Sequence, residues 1–304
     1  MATIGQTRAE VRVGAVIGGA LSLIARRPFS VLAWGLFTTV FAVAPISFIL
    51  LVMSPHMQGA AQAAALAGRS APALAELIRL AAAYVLAGLL ALVTLAVVDT
   101  AVYRAVLEPD NRGLFYLRMR RRELALVRVH LIQAVSWAVV LVAAAVPLAW
   151  LIGATTSALG RSWAVLIGLI IALIAAFIFA IVGLRLSLAG PSAFAHGRET
   201  LTRSWRMTRD RLGPIVVTAV VMTIVLTLGA YAVQAAVHLS PLGAAAALGE
   251  GGDLTRQAIV AGVLVVYLGV ARVLVAAPAA LIYRQLTPSP EPGAETAPKR
   301  GALL

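Results

Sequence analysis

The chain has 304 residues, of which 61% are apolar and only 12% charged, with a formal net charge of +13 and no cysteine. A soluble domain of that length carries about a quarter charged residues, so this composition excludes one. The missing thiols exclude disulfides, thiolate metal sites and cysteine nucleophiles together.

In chain order, the first element is a short apolar stretch, Val13–Ile24, that follows Arg8 and Arg12 and ends in Arg26-Arg27. A secretory signal would end in small residues at a cleavage site, so this stretch reads as part of the protein. Val13, Ile17, Ala20 and Ile24 share a helical face, giving an interfacial N-terminal segment over residues 1–30. Within it Gly14 and Gly18 stand at the spacing of closely packed helices.

Six long apolar runs follow, at about 31–53, 80–103, 129–152, 163–184, 214–237 and 257–282. Each reaches the roughly 20 residues that cross a hydrocarbon core, and none shows the short alternation of a β-barrel strand. The expectation is an all-α integral membrane protein whose transmembrane domain fills residues 31–286. The proline-rich remainder, 287–304, is a disordered tail. Pro45, Pro147 and Pro278 fall inside spans, where a missing N–H predicts kinks.

Charge then orients the chain. Twenty Lys and Arg residues fall in the segments on one side of the six spans and four (Arg69, Arg79, Arg161 and Arg256) on the other. Cytoplasmic loops carry that excess, so both termini are expected in the cytoplasm. The stretch "YLRMRRREL", with Arg118, Arg120, Arg121 and Arg122, is the strongest single contribution. The basic balance therefore points to a membrane surface. No aromatic-interleaved basic groove accompanies it, which argues against nucleic acid.

A basic segment precedes each pair of spans. Before the first come Arg26 and Arg27. Before the third lies "RGLFYLRMRRREL", where Phe115 and Tyr116 are placed to anchor at the interface. Before the fifth is "GRETLTRSWRMTRDRLGP". In the last, Leu201, Trp205, Thr208 and Leu212 share one face, opposite Arg203 and Arg206 and flanked by Arg209. The chain thus reads as six transmembrane helices in three hairpins, each led by a basic interfacial helix or segment that meets anionic headgroups.

The stretches "ALSLIARRPFSVLAWGLF", "YRAVLEPDNRGLFYLRMRRREL" and "LRLSLAGPSAFAHGRETLTRSWRMTRDRLGPI" resemble the membrane domain found beside glycerophosphodiester phosphodiesterases and its stand-alone bacterial relatives. The resemblance covers most of residues 8–285. It implies a six-helix module of the bacterial inner membrane. The catalytic barrel carried by some relatives finds no room outside the spans.

Chemistry is sparse along the chain. His56, His130, His196 and His238 show no paired ligand spacing, and neither H-E-x-x-H nor a phosphate-binding G-x-x-x-x-G-K-[ST] occurs. No catalytic residue, metal ligand or cofactor is assigned. The expected function is a non-catalytic module that organises anionic lipid or a protein partner at the cytoplasmic face. A small-solute or lipid-related transporter is the alternative, and an intramembrane lipid enzyme is a further one.

One constellation stands out. Asp99 is the only acid inside a span, ~6–8 Å from its inner end, and Arg272 lies ~15 Å from the inner end of the sixth. A charge at mid-helix costs ~2.5–3.5 kcal/mol, so such groups pair or line a wet cavity. A long arginine side chain covers the difference in depth. Asp99 is expected to pair with Arg272, with Arg185 as second choice or third member.

Overall fold

The computed structural model describes residues 11–53, 70–109, 114–117, 124–136, 161–196, 201–209, 211–239 and 253–287, with a few isolated positions between. Among these residues the chain is helical throughout and contains no strand. In lipid every backbone N–H and C=O must be satisfied within the segment, and a helix achieves this locally.

The elements run α1 (Val13–Arg26), α2 (Pro28–Thr38), a π-helical turn at Thr39–Val43, α3 (Ala44–Phe48) and a second π-helical turn at Ile49–Met53. After these come α4 (Ser70–Leu107), a 3₁₀ turn at Leu114–Tyr116, and α5 (Leu124–Ser136). The rest are α6 (Arg161–Leu186), α7 (Ala189–His196), α8 (Leu201–Thr208), α9 (Leu212–Leu239) and α10 (Asp253–Leu286).

Five stretches of these helices are long and apolar enough to cross a membrane: Pro28–Leu51, Ile78–Leu107, Leu166–His196, Leu212–Ala235 and Ala258–Leu286. The protein is therefore a multi-pass helical membrane protein. The expected span at 129–152 begins in the shorter apolar helix α5, and its remainder from 139 lies outside the described residues. Pro147, residues 288–304 and Arg118, Arg120, Arg121 and Arg122 lie outside them as well.

The core sits where α1, α2, α4 and α10 meet. Val31 and Trp34 of α2, Ala96, Ala101 and Val102 of α4, and Val273, Ala276 and Ala280 of α10 form one buried cluster. Small residues dominate because helices in lipid gain from close van der Waals approach rather than from hiding apolar surface. The closest approach lies between Gly35 and Gly269. A Cβ on Gly35 would overlap the Val265 carbonyl, and one on Gly269 would overlap that of Val31. Gly14 and Gly18, singled out by spacing, face open space among the described residues, so that pattern is not where the helices close.

Two π-helical turns flank Pro45, and the wider turns absorb the missing N–H that predicted a kink. Thr38, Thr94 and Thr100 are buried, yet each donates its hydroxyl to a carbonyl four residues back on its own helix. Their donors are thus satisfied within their own helix. By contrast α6 presents Leu169, Leu173 and Phe177, each more than half exposed, as a lipid-facing surface does.

Candidate functional site: an intramembrane charge cluster and its arginine-rich end

Asp99 lies on α4, two turns before the helix ends, in the only acidic position of that apolar stretch. Its neighbours Ala96, Val98, Ala101 and Val102 are buried, and Asp99 itself is 5% exposed. The Arg272 guanidinium, from α10, donates through Nη2 to Oδ1 of Asp99. His130, from α5, sets Nε2 3.1 Å from the other carboxylate oxygen, Oδ2. Its Nδ1 lies 3.0 Å from the carbonyl of Leu126, one turn back. Three helices thus converge on one carboxylate. Arg272 Nε is buried with no protein acceptor among the described residues.

The structure brings Asp99 and Arg272 together and keeps Arg185 away. Arg185 lies at the end of α6, its guanidinium 4.6 Å from the centre of the Trp205 ring. The third member is His130, which sequence reasoning left without a role. A search for ligand spacing along one helix misses a histidine that meets its partner across two. The available signal was depth: Asp99 and His130 both fall near the basic ends of their apolar runs.

One layer further toward the helix ends, Arg104 of α4 is also buried and donates through Nη1 to the Tyr116 carbonyl. Its guanidinium stands 5.8 Å from the Phe194 ring. Phe115 and Tyr116 both adopt positive φ, 48° and 62°, a region that side-chain-bearing residues avoid. Both carbonyls are captured: that of Phe115 accepts from Trp34 Nε1 at 2.9 Å, and that of Tyr116 from Arg104. Tyr116 is 4% exposed, with Arg27 4.7 Å above its ring. One interfacial assignment is corrected here. Tyr116 is a buried anchor for the loop, with Arg27 standing over its ring.

The helix α6 breaks at Ser187-Leu188, and α7, buried from Ala189 to Phe194, continues beyond the break. The freed carbonyls are taken by side chains. Leu184 accepts from the Ser187 hydroxyl, Arg185 from Ser204, and Leu186 from Gln133 Nε2. Ser204 meets this demand from α8, buried beside Thr208, while Trp205 is 41% exposed and covers Arg185. Arg203 is half-buried and donates to Nε2 of His196 at 2.7 Å, so it too is held on the protein.

α1 packs on the bundle through Val16, Ala20 and Leu23, where it lies against α10 and α9. Arg26 at its end is exposed, as are Arg206 and Arg209 of the α8 region. Arg128 of α5 and Arg284 of α10 are exposed at the same end. None of these five arginines meets a carboxylate among the described residues.

Two other features offer little chemistry. A cleft of about 190 Å³ beside Pro278 is lined by apolar side chains such as Met222, Leu226 and Leu274. Of its three hydroxyl residues, Ser187, Thr218 and Thr223, the first two donate to backbone carbonyls. Among the described residues no three His, Asp or Glu side chains gather as a metal would require. No protein-family model, no curated protein and no solved structure matches the chain.

Proposed function

We propose that this protein is a non-catalytic membrane module that holds anionic lipid, or a partner protein with an acidic surface, against its arginine-rich end. The observation that carries this reading is the set of Arg26, Arg128, Arg206, Arg209 and Arg284, exposed together without carboxylate partners among the described residues. Each such charge beside an anionic leaflet contributes about 1 kcal/mol, screened by salt. Trp205, half exposed next to Arg185, supplies the amphipathic ring that favours the headgroup layer.

In this reading the chain crosses the bacterial inner membrane six times as three hairpins, with both termini and the arginine-rich end in the cytoplasm. The segregation of basic residues supports that orientation. The resemblance to the membrane domain beside glycerophosphodiester phosphodiesterases fits a module of this kind. Reporter fusions after Arg112, Gly197 and Thr287 then read cytoplasmic, and those after Gln58, Thr156 and Gly249 read external. An external signal at Gly197 overturns the six-span topology.

The lipid reading is tested on the purified protein by native mass spectrometry after mild extraction. Retained anionic lipid is expected, and it falls sharply when Arg26, Arg206 and Arg209 are changed together to Gln. Unchanged retention would refute it.

Transport is the second reading, and two observations favour it. The span Leu166–His196 is discontinuous at Ser187-Leu188, and an ionisable cluster lies inside the bundle. Broken helices and buried charges recur where transporters bind their substrates and coupling ions. Solute uptake or efflux that changes in a deletion strain, and is restored by the native protein but not by Asp99→Asn, would favour it over the module.

A further inference from the structure

The two contacts of His130 set how many protons are needed to satisfy both of them. A carbonyl oxygen only accepts, so the contact of Nδ1 with Leu126 O places a hydrogen on Nδ1. The other nitrogen, Nε2, faces Asp99 Oδ2 at 3.1 Å, and that contact also requires a hydrogen between its two atoms. It sits either on Nε2, as imidazolium against carboxylate, or on Oδ2, as carboxylic acid donating to neutral imidazole. In both forms the pair carries one proton more than a carboxylate beside a neutral ring.

Without that proton, neutral His130 keeps one of its two contacts at most. With the hydrogen on Nδ1, the Nε2 lone pair opposes the carboxylate; in the other tautomer, the Nδ1 lone pair opposes the carbonyl of Leu126. Asp99 remains paired in either case, because Arg272 holds Oδ1. The arginine stays charged, so the cluster carries +1 with the proton and zero without it. Losing the proton therefore strands no isolated charge in the bundle, which is what makes the proton exchangeable.

The groups facing this pair among the described residues are few. Tyr103 lies one turn along α4 and Arg272 comes from α10. Beyond them Arg104 is turned to Tyr116 and Phe194, and Gln133 of α5 is neutral and bonded to Leu186 O. From α7 and α8, His196 and Arg203 are engaged with one another, and Arg185 with Trp205. The His130 side chain is 21% exposed against 7% for Asp99, so His130 is the more accessible of the two.

The contact also seats a helix. α5 rests on the bundle through Leu126 and Val129, both fully buried, and through the polar ties of His130 and Gln133. Its other face, with Arg128, Leu131, Val135 and Ser136, is exposed. The arginine-rich stretch at 118–122 leads directly into it.

We propose that the Asp99–His130 pair is a proton-binding site inside the bundle, and that its proton lets His130 hold Asp99 of α4 and the Leu126 carbonyl of α5 at the same time. The site stands on the geometry of the cluster and holds under either reading of function. Under the transport reading it names the proton as the coupled ion.

The test uses the full chain in lipid nanodiscs, with a nitroxide on Ser136→Cys, a substitution that labels uniquely because the chain has no native cysteine. Histidine ring-nitrogen spectra, assigned by loss of one signal in His130→Gln, report the proton directly. Between about pH 5 and pH 9 the His130 signal should pass from a shared-proton form to a neutral ring. The nitroxide should become more mobile over the same range. In His130→Gln, whose amide donates without titrating, the mobility change should be lost. Asp99→Asn should lose it too, and Tyr103→Phe should keep it. A His130 signal constant over that range, or the same mobility change in His130→Gln, would overturn the proposal. The His130→Gln arm decides even if Asp99→Asn does not fold.

Discussion

The crossing of α2 with α10 and the lipid-facing helix α6 solve the same problem by opposite means. At Gly35 and Gly269 two backbones touch, and Val31, Trp34 and Val273 fill the flanks. Along α6 the apolar side chains point outward, and the polar contacts described for the helix gather at one end, on the carbonyls of Leu184, Arg185 and Leu186. A helix can thus be fixed in lipid by shape along its length or by polar contacts at its terminus. The first arrangement tolerates no added atom, and the second tolerates many.

That contrast fixes the order of expected effects. Arg272→Ala leaves Asp99 buried without its guanidinium and should lower stability by about 3–5 kcal/mol, read as loss of monodisperse protein after extraction. Gly35→Ala drives a methyl into the Val265 carbonyl and should cost about 1–3 kcal/mol, measured as a lower thermal midpoint in the same detergent. Trp34→Phe removes the donor to the Phe115 carbonyl while keeping most of the packing. Its expected cost is about 1 kcal/mol, and protease cleavage near residues 109–117 should quicken. Leu173→Ala on α6 removes an exposed side chain and should shift the midpoint by no more than about 0.5 kcal/mol. A large loss from Leu173→Ala, or none from Gly35→Ala, would erase the distinction between the two helices.

Much of the architecture was legible because the bilayer imposes it. Apolar runs of about 20 residues announce helices, and five such helices are present among the described residues. The Asp99–Arg272 contact was legible for a related reason: an acid in a span needs a partner, and few cations lie deep enough. His130 was not, because hydrogen bonding between helices leaves no mark on the spacing within either. The positive φ of Phe115 and Tyr116 was hidden as well, since neither is glycine and the strain is offset by Trp34 and Arg104. The inward role of Ser204 on α8 was hidden too, because it depends on the break in α6, whose carbonyls need donors. The Gly14–Gly18 spacing misled because close approach depends on which helix lies opposite, and that is a property of the whole bundle.

The central claim is that the Asp99 carboxylate and the Arg272 guanidinium tie α4 to α10 within the membrane. A double-mutant cycle over Asp99→Asn and Arg272→Gln, scored by thermal unfolding in nanodiscs, tests it most directly. Each single change should destabilise the protein, and the double mutant should recover about 1–3 kcal/mol relative to their sum. Losses that simply add would contradict it, since two residues that do not meet have no coupling to lose.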